Sequence, residues 1–242
     1  QEHEKNLHKT INLSDNWWLF PSGGTNLEGS AISKNTSTNE NHYKATVPST
    51  VMGTLIANGK YQDIFTNNNI ETIDRSQFDQ SWWYRASFDI EPLKKGQHAF
   101  LRLEGISYYA NVWLNGELIA SRDSIYGAYR RFESDVTKHI QPNNTLAIEI
   151  FRARAGDPNI GFADWNPRPP DESMGLFRPV SIMTTGEVRL NNTTVRTKVN
   201  TQKLNEAWLT IESEVENLAA QNISGVLTGK IDSDLSFSYP LN

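Results

Sequence analysis

Asp164 and Trp165 stand side by side in GFADWNPRPPDESMGLFRPV, residues 161–180, directly ahead of Pro167, Pro169 and Pro170. Proline has a fixed φ and no N–H to give a strand ladder, so this stretch reads as a stiff loop. Binding groups concentrate on loops carried by a scaffold, and a carboxylate beside an indole in a stiff loop is a candidate binding corner. The competing reading packs Trp165 into the core and has Asp164 cap a turn. Two carboxyls held roughly 5–9.5 Å apart can cleave a glycosidic bond. Asp164 and Asp171 share the loop, but their spacing in sequence does not set such a distance.

Other chemistries find no support. The chain has no cysteine, which removes disulfides, thiolate metal sites and a cysteine nucleophile. The five histidines are scattered and form no His-Glu-x-x-His pair, so no metal site is expected. The glycines have neither dinucleotide nor phosphate-loop spacing, and no Gly-x-Ser-x-Gly elbow occurs. No cofactor is expected. The net charge of -5 comes from mixed acid and base, without a basic stripe to neutralise phosphates, which argues against nucleic acid as a partner. No apolar run approaches the ~20 residues of a membrane span, so no membrane partner is expected either.

The elements that must carry the Asp164–Trp165 loop read as β. WWYRASFDI alternates, placing Trp82, Tyr84, Ala86 and Phe88 on one face. AFLRLEGI follows, and Asn115-Gly116 between the apolar runs VWL and ELIA predicts a two-residue type I′ hairpin. Phe132–Ile140 and Leu146–Phe151 read as two more strands around the turn residues Pro142-Asn143-Asn144. Turn signals spaced by about 8–12 residues indicate a sandwich and not βαβ units. One short helix is expected in VPSTVMGTLIANGKY, capped by Ser49 or Thr50, with Val51, Met52, Leu55 and Ile56 on its packed face and Gly59 at its stop. PSGGTNLEGSAISKNTSTNENHYK reads as a solvated loop. Beyond Gly186, VRLNNTTVRTKV, AWLTIESEVENL and NISGVLTGKI read as strands of a second, smaller sandwich. Residues 186–242 fall short of the ~100 of an immunoglobulin-type domain. The expected organisation is all-β: a jelly-roll, galactose-binding-like β-sandwich over 1–185, then a truncated immunoglobulin-like β-sandwich over 186–242.

Five stretches in order carry a family resemblance: VPSTV (47–51), SWWYRASF (81–88), LRLEGISYYANVWLNGELIA (101–120), IYGAYRRFESDVT (125–137) and DWNPRPPDESMGLFRPV (164–180). Together they resemble the N-terminal part of glycoside hydrolase family 2, in the branch of β-mannosidases and exo-β-glucosaminidases. The resemblance runs from about Trp17 to Val180 and into the following immunoglobulin-like region. It implies a parent enzyme in which a sugar-binding jelly roll and an immunoglobulin-like domain precede a (β/α)₈ barrel. Both glutamates of a retaining mechanism would lie in that barrel, so these 242 residues alone would be inactive.

The resemblance also implies a role for the proline-rich loop, as part of the pocket for the terminal sugar of a β-linked mannoside or glucosaminide. A carboxylate at Asp164 can accept charge-assisted hydrogen bonds from two neighbouring hydroxyls. The Trp165 indole offers a flat face to the C–H surface of a pyranose and one N–H donor. The prolines lower the ordering cost of binding. Asn166 follows the pair where β-mannosidases commonly carry glycine, which is more like the exo-β-glucosaminidases. Arg168 and Asp171 are candidates for contact with the substrate or the barrel, or for a salt bridge within the loop. The matching region of similar enzymes brings FDQSWW near the pocket, which makes Asp79 and Trp82 further substrate-binding candidates, although strand alternation also assigns Trp82 to the core. Besides a rim supplied to a barrel, an independent lectin-like module and a scaffold that only docks the barrel are open. By analogy with polysaccharide-degrading relatives, an extracytoplasmic location, secreted or periplasmic, is expected.

Overall fold

A computed structural model of the chain describes residues 7–34, 37, 41–159, 168–232 and 235–241. The chain divides into two compact units. One comprises Lys9–Leu93 and Ala99–Thr184; Thr185 onward, with Lys94–His98, Leu7 and His8, belongs to the other.

The first unit is built from β1 (Lys9–Asn12), β2 (Trp17–Pro21), β3 (Tyr43–Ala45), β4 (Ser49–Thr50), β5 (Trp82–Asp89), β6 (His98–Leu103), β7 (Tyr109–Leu114), β8 (Glu117–Ala120), β9 (Phe132–Asp135), β10 (Asn143–Phe151), β11 (Gly175–Leu176) and β12 (Val180–Thr185). A six-stranded sheet in the order β3-β2-β5-β10-β7-β8 and a four-stranded sheet in the order β1-β12-β6-β9 form the two layers. Strand period dictates the core. Leu19, Tyr84, Ile148 and Val112 lie in one row across β2, β5, β10 and β7, and all four are buried. Their neighbours one residue along point to the other face. Each such row removes several side chains from water, at about 1.5–3 kcal/mol apiece.

Asn115 and Gly116 both have positive φ, 52° and 96°, and β7 pairs with β8 directly across them. This is the expected two-residue hairpin. The Asn115 side chain also donates to the His139 carbonyl and to Asn144 Oδ1, while its own oxygen accepts from the Thr145 amide. The short helix α2 (Val51–Ala57) is capped by Thr50, whose hydroxyl accepts from the Gly53 amide at 3.0 Å. Val51, Met52 and Leu55 are buried in the core, while Ile56 packs at its margin. Gly59 follows with φ of 73°.

Residues 22–34 correct the expectation of a solvated loop. They include a helical turn, α1 (Gly29–Ile32), with Ile32 1% exposed against Phe20, Trp83 and Ala147. Ser33 is fully buried and its hydroxyl accepts from the Gly116 amide at 2.9 Å. The cause is the second apolar face of the six-stranded sheet, which needs a cover. At Gly29 the cover lies so close that a Cβ would come within 2.3 Å of the Trp113 ring nitrogen.

The second unit holds two antiparallel pairs, β13 (Val188–Val199) with β14 (Ala207–Asn217) and β15 (Gly225–Ile231) with β16 (Leu235–Leu241). On the first pair, Leu190, Val195, Ile211 and Val215 share one face, and the opposite face carries the ion pairs Arg189–Glu216 and Arg196–Glu212. The sequence reading anticipated β13, β14 and β15 but not β16. Pro240 in LSFSYPL argues against a strand, yet it sits at the register position opposite Val226 near the strand's end.

Candidate functional site

β5 begins, β7 begins and β10 ends at the same end of the six-stranded sheet. Antiparallel pairing sets this: Trp82 lies across from Ile150, and Tyr109 across from Phe151. The segments just outside, 79–81 and 152–155, therefore meet there. With Arg168 and Glu172 they enclose a cleft of about 440 Å³, within the usual size range of small-molecule sites. A second cavity of about 330 Å³ adjoins it. Tyr109, Arg122 and Arg154 line both and so form the ridge between them.

Hydrogen bonds hold the lining side chains in place. Glu149, on the outer face of β10, accepts from Ser81 Oγ at 2.7 Å and from Asn111 Nδ2 at 2.8 Å. Asn111 in turn accepts from the Arg122 amide at 2.9 Å. Asp157 Oδ2 receives the Tyr109 hydroxyl at 2.8 Å and the Arg154 amide at 2.7 Å. Burial, followed by this hydrogen bond into a carboxylate, holds the Tyr109 phenol above its usual range, so it stays a neutral donor. The rim carries two ion pairs, Arg152–Asp79 at 2.5 Å and Arg168–Glu172 at 2.8 Å. Two further guanidiniums lie over rings, Arg122 over Phe151 at 4.9 Å and Arg154 over Tyr109 at 5.1 Å.

Asp79 and Arg168, both singled out from sequence, line this cleft. Trp82 does not. Its ring is 1% exposed in the main core, 6.2 Å from the Phe78 ring, and its N–H points to the Gln77 carbonyl at 3.3 Å. Strand alternation turns Trp82 inward, so it offers no face to a ligand. Asp164 and Trp165 lie outside the described residues; the segment 160–167 joins Asn159 to Arg168 along the chain. Asp171 is 1% exposed and belongs to the scaffold: it accepts from the Met52 amide in α2 at 2.8 Å and from the Ser173 amide at 3.0 Å. Burial pushes its carboxyl up to about 6, against the pull of those two donors. The sequence reading missed Tyr109, Arg122, Phe151, Arg154 and Asp157. Phe151, Arg154 and Asp157 left a trace in FRARAGD, where arginines alternate just past an apolar strand; Tyr109 and Arg122 left none.

Known proteins share this framework. Residues 32–160 match the family described as glycosyl hydrolase 2 galactose-binding domain-like, which is more than half of the chain. The chain belongs to glycoside hydrolase family 2. Among family 2 relatives, an exo-β-D-glucosaminidase of Arthroderma benhamiae is 35% identical over 199 residues, covering 80% of this chain and 22% of that protein. An exo-β-D-glucosaminidase of Amycolatopsis orientalis is 32% identical over 219 residues, covering 88% and 21%. The complex of the Amycolatopsis orientalis exo-chitosanase CsxA with PNP-β-D-glucosamine superposes with a TM-score of 0.85 at 29% identity, covering 96% of this chain and 27% of that one. The chain thus spans about a fifth of the length of the curated relatives it matches, and matches them as a jelly-roll β-sandwich followed by an immunoglobulin-like one.

Proposed function

We propose that this chain is the sugar-binding-like region of an exo-acting β-glycosidase, on the glucosaminidase side of family 2. In this reading it supplies rim contacts to the terminal sugar while a (β/α)₈ barrel elsewhere in the parent polypeptide carries the two catalytic glutamates and cleaves with retention. The chain by itself holds part of a pocket and hydrolyses nothing. The observation that carries the reading is the cleft at the sheet end. Residues 152–155, ahead of 160–167 in the chain, and Arg168 and Glu172, after it, line this cleft. In this reading Asp164 and Trp165, between those segments in the sequence, reach the terminal sugar there together with Asp79. The named activity of the relatives gives the substrate class, a β-linked glucosaminide.

Trp165→Ala in the parent polypeptide tests the reading. The expected result is a rise in KM for a β-glucosaminide of about tenfold, from loss of about 1–1.5 kcal/mol of stacking, with the thermal midpoint unchanged. An unchanged KM would contradict it. Calorimetric titration of the 242-residue chain with glucosamine and its short β-linked oligomers separates the lectin-like alternative: the rim reading expects no saturable heat, and a lectin expects saturation that Trp165→Ala abolishes.

A further inference from the structure

We infer that the cleft at the sheet end holds an acidic group, a carboxylate or sulfate carried by a saccharide, between the guanidiniums of Arg122 and Arg154. The larger cavity is lined by four arginines and by two carboxylates, Asp79 and Glu172. Those two carboxylates are committed to Arg152 and Arg168. Arg122 and Arg154 remain. Among the described residues neither guanidinium meets a carboxylate, and each has its central carbon over a ring, Phe151 at 4.9 Å or Tyr109 at 5.1 Å. A guanidinium held over a ring loses little further freedom when its N–H groups are used, which suits the fork-shaped recognition of a carboxylate or sulfate.

The position is fixed by charge. Asp123 and Asp157 line the smaller cavity, on the far side of the ridge, so the anion belongs in the larger one. Its wall adds Ser81 and Tyr109, whose hydroxyls donate to Glu149 and Asp157 and whose oxygens can still accept from a sugar hydroxyl. The occupant is a saccharide and not an acidic protein surface because the site is a concave space of ligand size, whereas protein interfaces are broad patches of about 800 Å² per partner. The inference rests on the saccharide reading above for the class of molecule, and adds an acidic residue in the chain beyond the terminal sugar.

The test is titration of the 242-residue chain with a β-linked tetrasaccharide alternating glucuronate and N-acetylglucosamine, with the same compound after carboxyl reduction, with inorganic sulfate, and with an oligoglutamate peptide. The expected result is saturable binding of the acidic tetrasaccharide that weakens as salt is raised, and none of the reduced form. Arg122→Gln and Arg154→Gln each weaken it about tenfold or more, and Arg154→Lys, which keeps the charge but not the fork, falls between. Sulfate competing with the tetrasaccharide supports the same site. Equal binding of acidic and reduced forms, no binding at all, indifference to both glutamine variants, or preference for the peptide would each overturn it. A negative titration alongside a Trp165→Ala parent with raised KM removes the acid site alone and leaves the rim reading standing.

Discussion

Asp171 shows how a single side chain can look functional in sequence and be structural in the fold. It sits seven residues from Asp164 in the same loop, yet its carboxylate is spent on the first turn of α2 and on the Ser173 amide. Its titration makes a prediction. Burial raises the carboxyl from the ordinary 3.8 to about 6, so the folded chain holds this proton to higher pH than the unfolded chain does. The protonated group stabilises the fold below about pH 4, and that contribution is lost as pH rises through about 6. The loss is on the order of 3 kcal/mol. Asp171→Asn cannot titrate. Urea unfolding from pH 4 to 7 therefore predicts that the variant gains on the native chain by up to that amount, and a pH-independent difference would contradict the account. Trp82 makes the opposite case, a residue offered to a ligand and found in the core. Trp82→Ala costs about 3–5 kcal/mol of stability by unfolding, and its consequences for any bound sugar follow from that loss alone.

At the scale of elements, most of the strands could be read from the chain because half-buried sheets impose a period of two. Trp82, Tyr84 and Ala86 point inward as that period demands, and Asn115-Gly116 announced its own turn. The α2 helix was legible for a similar local reason, since a capping hydroxyl and an apolar face stand in the sequence. Others were not, α1 and β16 among them. The α1 turn sits in a run of Gly, Ser and Asn whose only apolar anchor is Ile32, and its reason for folding lies on strands far along the chain. The β16 strand contains a proline, a local signal that its partner β15 overrides. Two substitutions probe the legible helix and the illegible turn. Thr50→Ala, which leaves the Gly53 amide without its acceptor, lowers unfolding free energy by about 1 kcal/mol. Gly29→Ala drives a methyl into the Trp113 ring and costs about 1–3 kcal/mol. Chemical denaturation checks both, and a neutral Gly29→Ala would mean that α1 does not cover the sheet as described.

At the scale of the molecule, the cleft is a product of topology. No local pattern brings Asp79, Tyr109 and Phe151 together; antiparallel pairing of β5, β10 and β7 does. That is why Asp79 and Arg168 were reached through family resemblance, while Tyr109, Arg122, Phe151, Arg154 and Asp157 were not reached at all. The central proposal is that Asp164 and Trp165, which precede Arg168 in the sequence, meet the terminal sugar. The most direct measurement is kcat/KM of the parent polypeptide on a β-glucosaminide with Asp164→Ala. Loss of charge-assisted hydrogen bonds worth about 1.5–3 kcal/mol predicts a fall of about 10- to 150-fold with the thermal midpoint unchanged. A variant that folds normally and cleaves at the native rate would contradict the claim.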